Sequence, residues 1–122
     1  MSTWTDQELD RFARADELRI AGRREDGTLR KLVIIWMVTH EGNLYVRSVN
    51  GADAAWFRGT QQTGSGHITS GPVDRDVTFT RETGLDDVLD KAYAAKYPTW
   101  KSAVDSINSP VARATTLRVD PA

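Results

Sequence analysis

Two pairs of polar side chains lie where neighbouring predicted strands begin and end, and their types suit a negatively charged ligand. Arg30 and Lys31 stand at the start of a long predicted strand, and Arg47 and Ser48 stand at the end of the strand that follows it. A short helix predicted to begin near Gly51 would point its free N–H groups outward, and such helix ends attract anions. Because a tight hairpin would join the two strands, we expect these groups to converge on a phosphate.

Aromatic side chains extend this candidate site. Trp36, Tyr45 and Trp56 suit the lining of a flat ring, since aromatic walls exclude water from a redox centre. The alternative is that they belong to the core or to an interface between subunits. The basic residues have an alternative as well, which is to solvate strand ends. The predicted cofactor-binding residues are Arg30, Lys31, Arg47, Ser48, Asn50, Gly51, Trp56 and Arg58.

Other chemistries have little support in the sequence. The chain has no cysteine, which excludes disulfides, thiolate zinc sites and cysteine nucleophiles. His40 and His67 have no partner histidine at ligand spacing, so we expect no metal site. Ser65 stands between two glycines but lacks the wider Gly-x-Ser-x-Gly spacing of a nucleophile elbow. We therefore assign no catalytic residue.

Charge and length narrow the class of protein. The chain carries 16 basic and 17 acidic residues, a formal net charge of −1, which argues against a nucleic-acid or membrane-surface binder. The N-terminal region is acidic and lacks an apolar run, so we expect no signal peptide and a cytoplasmic location. A length of 122 residues fits one domain, over residues 1–122.

The periodicity of apolar residues predicts the elements that would position these groups. Helices are predicted over residues 5–16, 50–59 and 85–97 and after Thr99, and strands over residues 18–24, 29–39, 44–49, 66–70, 73–80 and 111–119. Six antiparallel strands in a short chain would leave exposed edges, and closure into a small barrel removes them. The predicted class is mainly β (α+β).

Several segments resemble a known group of barrels. The opening hairpin of flavin- and deazaflavin-binding split barrels resembles residues 23–31, which read Arg-Arg-Glu-Asp-Gly-Thr-Leu-Arg-Lys, followed by Ile35 and Trp36. Residues 44–51 and 56–58 are similar to the same group. A family of uncharacterised bacterial domains in this superfamily ends in an Ala-Thr-x-Arg-Leu-like strand, and residues 112–118 resemble it.

The resemblance implies a six-stranded antiparallel split barrel, with an N-terminal helix, a short helix after the third strand and two helices before the last. Known relatives include pyridoxamine-phosphate oxidases and deazaflavin-dependent nitroreductases, which implies FMN or a deazaflavin as the cofactor, held between the subunits of a homodimer. Glu25 and Asp26 stand where the nitroreductases usually carry a Ser-Gly pair, so the choice of cofactor stays open. The implied function is an oxidoreductase on an unknown small molecule, or else a module that binds flavin or another anionic ligand without turnover.

Overall fold

The computed structural model describes residues 3–122, which form five α-helices, one 3-10 helix and seven strands. In chain order the elements are α1 (Asp6–Arg14), β1 (Leu18–Gly22), β2 (Val33–Ile35), β3 (Val38–His40), β4 (Asn43–Val46), a 3-10 helix (Gly51–Asp53), α2 (Ala55–Thr63), β5 (Ser65–Ser70), β6 (Val73–Arg81), α3 (Asp86–Lys96), α4 (Lys101–Ile107), α5 (Pro110–Arg113) and β7 (Leu117–Pro121).

All seven strands belong to one antiparallel sheet in the order β2-β1-β5-β6-β7-β4-β3. The two edge strands, β2 and β3, follow one another in the chain and are separated only by Trp36 and Met37. One short segment therefore passes from one edge of the sheet to the other, and it curls the sheet into a barrel that is open along this seam.

The prediction of six strands was wrong because residues 29–39 do not form one continuous strand. The chain bends at Trp36 and Met37, so that β2 pairs with β1 and β3 pairs with β4. The bend is stabilised from α3 and the residue after it: the Met37 N–H donates to the Tyr97 hydroxyl at 3.3 Å, and the Lys96 ammonium donates to the Met37 carbonyl at 2.8 Å. Trp36 stacks on Tyr97 with ring centroids 3.8 Å apart.

The structure confirms the first helix and the tight hairpin that local sequence signals predicted. The Thr5 hydroxyl accepts from the Glu8 N–H at 3.1 Å, and the Glu8 carboxylate accepts from the Thr5 N–H at 2.9 Å, which completes the predicted capping box. Between β3 and β4, Glu41 and Gly42 take positive φ angles of 48° and 81°. This conformation matches the twist of two-residue hairpins.

The last predicted strand, over residues 111–119, was wrong in its first half. Pro110–Arg113 forms α5, because the Ser109 hydroxyl accepts from the Ala112 N–H at 3.3 Å and Pro110 fits the first helical turn. Only Leu117–Pro121 pairs as a strand. The helix predicted over residues 50–59 also differs: a 3-10 turn comes first, and α2 begins at Ala55 and continues to Thr63.

The apolar residues form two clusters. The first fills the barrel and contains Trp4, Phe12 and the inward side chains of β1 and β4 to β7. The second joins the outer side of β3 and β4 to α3 and α4, through Val38, Tyr45, Leu89, Tyr93, Tyr97, Val104 and Ile107. We call α3, α4 and α5 together the helical cap. No helix within residues 3–122 has the length and apolar character needed to cross a bilayer.

Candidate functional site

Arg47, one of the predicted phosphate ligands, is buried and hydrogen-bonded to the protein itself. Its side chain has 0% exposed surface. Its Nη1 donates to Asp90 Oδ1 at 2.7 Å and to Asn108 Oδ1 at 3.1 Å, and its Nε donates to Thr116 Oγ1 at 3.0 Å. The carbonyls of Ile107 and Asp86 accept further bonds at 3.4 Å each.

The role that the structure gives to Arg47 therefore differs from the prediction. The guanidinium joins the end of β4 to the helical cap through hydrogen bonds to five protein oxygens. Asp90 lies between Arg47 and Arg113; burial alone would raise its pKa, but hydrogen bonds from both arginines hold the pKa below its ordinary value.

Ser48 and Gly51 also serve the fold. The Ser48 hydroxyl donates to the Gly51 carbonyl at 2.8 Å, and the Ser48 N–H donates to Thr115 Oγ1 at the same distance. Gly51 has a φ of 79°, and a Cβ at this position would lie 2.3 Å from Val111 Cγ1. These residues hold the loop after β4 against α5, and both are buried.

Arg30 and Arg58, in contrast, border the same open groove. This cationic groove has a volume of about 350 Å³ and is lined by Arg30, Ala55, Arg58, Gly59 and Gln62. Neither guanidinium has a carboxylate partner among residues 3–122. Arg30 Nη2 donates to Gln62 Oε1, while Arg30 Nε is buried with no hydrogen-bond partner.

Two glycines explain how Arg30 reaches α2. A Cβ on Gly22 of β1 would lie 2.4 Å from the Gly59 backbone, so α2 packs directly on the strand at this point. A Cβ on Gly59 would lie 2.5 Å from Arg30 Cδ, so the arginine side chain lies flat across the glycine. The absence of two side chains thus brings Arg30 and Arg58 to one groove.

A second groove, largely apolar, lies on the other side of the first turn of α2. This apolar groove has a volume of about 410 Å³ and is lined by Val33, Ile34, Ile35, Trp36, Arg47, Val49, Asn50, Trp56, Ala103 and Ile107. Ala55 and Trp56 are consecutive, and the first lines the cationic groove while the second lines the apolar groove. The volume is within the range of small-molecule sites.

The remaining predicted residues divide between these places. Trp36, Trp56 and Asn50 line the apolar groove, whereas Tyr45 is buried in the cluster beneath the helical cap. Lys31 is exposed and lines neither groove. The predicted convergence through strand pairing does not occur, because the bend at Trp36 directs the chain before it to β1 instead of β4.

The two histidines lie outside both grooves. His67 Nδ1 is 2.8 Å from Asp76 Oδ1, and its Nε2 is hydrogen-bonded to Asp74. Burial by itself would lower the pKa of His67. The hydrogen bonds to the two carboxylates outweigh this effect, so the pKa lies above its ordinary value. His40 lies at the end of β3, 3.9 Å from Glu41. Within residues 3–122 no three acidic, histidine or cysteine side chains are placed to hold a metal ion.

The sequence did not indicate Asp90, Gly59 or Gln62 as parts of the site. Asp90 follows Asp86 and Asp87 on a polar helix face, a pattern typical of solvated charges. Gly59 was predicted to end its helix, whereas α2 continues to Thr63, so the glycine lies inside the helix at a close approach to Arg30. Its partner, Gly22, becomes evident only in the folded chain.

Comparison with known proteins supports the resemblance in the sequence. The model of a bacterial family described as "Uncharacterized protein conserved in bacteria (DUF2255)" matches residues 8–119. No curated protein matches the chain.

Solved structures with the same fold include three informative matches. The heme storage protein HutZ from Vibrio cholerae is 11% identical, with 96% of this chain and 89% of that chain covered and a TM-score of 0.65. An F420-H2 dependent reductase, FDR-A, is 14% identical, with 86% and 93% covered and a TM-score of 0.61. A structure described as a domain-swapped dimer is 14% identical, with 86% and 79% covered and a TM-score of 0.61. At these identities the matches show the split-barrel fold.

Proposed function

The chain belongs to the bacterial family DUF2255, and we propose that it binds a phosphate-bearing planar cofactor, FMN or a deazaflavin, and uses it as an oxidoreductase on a small molecule. One observation carries the proposal: a cationic groove and an apolar groove flank the first turn of α2. A flavin has the matching two parts, a charged phosphate and a flat conjugated ring.

The cationic groove suits the phosphate. Arg30 and Arg58 supply two guanidinium groups that no carboxylate among the described residues neutralises. Arg30 Nε is a buried donor without a partner, and an unmade hydrogen bond of this kind costs free energy that an anion would recover. Arginine forms strong, charge-assisted hydrogen bonds with phosphate oxygens. The proposed phosphate ligands are thus Arg30 and Arg58.

The apolar groove suits the ring. Trp36 and Trp56 give it aromatic walls, and Asn50 supplies one amide at its edge. Trp36 is held in place by its stack on Tyr97, so this wall is formed before a ligand arrives. When bound, a flavin or deazaflavin supplies the hydride chemistry. The residues of this chain bind the two ends, fix the orientation of the ring and exclude water from it.

A heme in the apolar groove is the alternative that the likeness to HutZ raises. Heme iron takes its protein ligand from histidine, cysteine, methionine or tyrosine. None of the residues lining the apolar groove is of these types, and His67 is engaged by Asp74 and Asp76. The donor set therefore favours the flavin class.

We also propose that a second copy of the chain covers the apolar groove. Ile34 is 55% exposed and Val49 is 47% exposed, and both line the groove. Large apolar side chains around a groove are typical of an interface. Light scattering should give a dimer mass, and the double variant Ile34→Glu, Val49→Glu should give a monomer. Val88→Glu, on the exposed face of α3, is the control and should remain dimeric.

Titration of the purified protein with FMN and with a deazaflavin tests the cofactor. We expect binding of at least one, with the affinity reduced about 10-fold or more in the double variant Arg30→Ala, Arg58→Ala, because two charge-assisted hydrogen bonds are lost. Arg14→Ala removes an exposed charge on α1 and should leave the affinity unchanged. Equal affinity in the double variant and the wild type would remove the phosphate site.

Turnover separates an enzyme from a carrier. The bound ring would be reduced and then exposed to a panel of organic acceptors, with reoxidation followed by absorbance. Reoxidation by an organic acceptor faster than by buffer alone supports an oxidoreductase. A ring that binds tightly but transfers no electrons to any acceptor would identify a binding module.

A further inference from the structure

A network of charged side chains joins Arg47, at the end of β4, to α3 and α5 beside the apolar groove. Arg47 borders this groove, yet its side chain is fully buried and its guanidinium is 2.7 Å from Asp90. Arg113 also contacts Asp90, and Asp86 and Asp87 lie 3.8 Å from Arg47 and Arg113, respectively. The network contains two positive and three negative groups. It therefore presents no surplus positive charge to the groove.

The rest of the groove has no charged group that could replace the hydration of an anion. Apart from Arg47, its lining consists of aliphatic side chains, two indoles and the amide of Asn50. An ionised group that enters such a site loses its water without gaining a charged partner, which is strongly unfavourable. A neutral flat ring, in contrast, gains contact with Trp36 and Trp56.

We infer that Asp90 makes the apolar groove selective for uncharged, conjugated rings by holding the Arg47 guanidinium out of it. Asp90 is thus a positioning residue that determines specificity. The inference deepens the proposed function, on which it rests: the conjugated ring that the apolar groove receives would be an uncharged one. The charge selectivity itself is a property of the groove and can be measured without any cofactor.

Two matched probes test this selectivity, 2-naphthamide and 2-naphthoate, which share a ring system and differ in charge at neutral pH. Isothermal titration calorimetry on the full-length protein would measure the affinity of each. We expect the amide to bind at least about 10-fold more tightly than the carboxylate, because the carboxylate must be desolvated without a partner. Equal binding of the two probes, or binding of neither, would overturn the inference.

Variants then assign the selectivity to Asp90. In Asp90→Asn the guanidinium of Arg47 loses its main partner, and we expect the affinity for 2-naphthoate to rise about 10-fold while that for 2-naphthamide changes little. Arg113→Met removes the other arginine from Asp90 and leaves Arg47 paired, so it should keep the wild-type preference. An unchanged preference in folded Asp90→Asn would show that Asp90 does not set the specificity.

Asp90→Glu gives a second test if Asp90→Asn does not fold, as circular dichroism would show. The longer side chain keeps a carboxylate beside Arg47, so this variant should keep the wild-type preference. A gain in 2-naphthoate binding in folded Asp90→Glu would contradict the inference. Because neither probe contains a phosphate or a flavin, these results are independent of the FMN titration, and a protein that fails to bind FMN could still confirm or contradict the selectivity.

Discussion

Arg47 and Arg30 are the same residue type in two regions that differ in almost every respect. The side chain of Arg47 is fully buried, and five protein oxygens accept hydrogen bonds from it. Arg30 lies across Gly59 at the edge of an open groove, and its Nε has no partner. Sequence position alone indicated the same phosphate-binding role for both.

The difference shows that the surroundings of an arginine, and not its place at a strand end, determine whether it can bind a ligand. Asp90, 43 residues away in sequence, engages Arg47. No carboxylate among residues 3–122 reaches Arg30, and its hydrogen-bond partner is the neutral amide of Gln62. We therefore expect a buried and paired arginine such as Arg47 to contribute most to the stability of the fold. An arginine without a carboxylate partner at a groove, such as Arg30, should contribute most to ligand binding.

Arg47→Ala tests the buried arginine and should give the largest loss of stability. We expect a loss of about 3–5 kcal/mol in the free energy of unfolding, because the change removes one of the two arginines that bind Asp90 and leaves several buried oxygens without their donor. Urea unfolding followed by circular dichroism would measure it. Arg30→Ala is the matched control, with an expected loss of at most about 1 kcal/mol. Equal losses would remove the distinction between the two arginines.

Lys96 sharpens the comparison, since it is a partly buried cation without a close carboxylate. Its ammonium donates to the Phe12 and Met37 carbonyls, and burial lowers its pKa from 10.5 to about 8. The unfolded chain thus holds more protons between these values, so the contribution of Lys96 to stability should grow as pH rises from about 8 toward 10.5.

In Lys96→Met this rise should be absent. Between about pH 8 and pH 10.5, the free energy of unfolding should rise by about 1–2 kcal/mol more in the wild type than in the variant. This is less than the full pKa shift would give, because the side chain is not fully buried. Unfolding by urea at several pH values would measure it. A wild-type slope that persists in the variant would assign the pH dependence to another group.

Gly59→Ala tests the cationic groove without changing any charge. The new Cβ would meet Arg30 Cδ at 2.5 Å and push the side chain from its place, so the affinity for FMN should fall about 5- to 10-fold, or about 1 kcal/mol. Stability should not fall, since alanine favours a helix over glycine. Gly22→Ala is the contrasting control, because its Cβ would meet the Gly59 backbone and should destabilise the fold.

His67→Gln should give the smallest effect, since this charge cluster faces solvent. The folded-state pKa of His67 lies above its ordinary value of 6.5, so its stabilising contribution is complete below that pH and is lost as pH rises through the folded-state value. We expect a change of less than about 1 kcal/mol between about pH 6 and pH 9, because Asp74 and Asp76 are well exposed. Thermal unfolding of both proteins at these two pH values would show it.

Local signals predicted the elements that depend on neighbours in sequence. The capping box at Thr5 and Glu8, the tight hairpin at Glu41 and Gly42, and the buried alternate residues of β6 are confirmed, because a few adjacent residues determine each of them. The Ser109–Pro110 pair was also such a signal. It is a helix start, and the alternating pattern that follows it was wrongly interpreted as a strand.

The candidate site was predictable only in part. Arg30, Arg58, Trp56 and Asn50 line grooves. The strand pairing that was expected to bring Arg30 and Lys31 to Arg47 and Ser48 does not occur. The bend at Met37 depends on hydrogen bonds from a helix end about 60 residues later, and no local pattern encodes it.

The sequence by itself determined the barrel class, the family resemblance and the near balance of charge, because composition and short-range periodicity carry this information. Only the tertiary structure decided which arginine is buried beside a carboxylate and which one lines a groove without such a partner. Burying a charge is favourable only beside a matching partner, and whether Asp90 or a bare glycine lies next to a guanidinium depends on how distant segments pack.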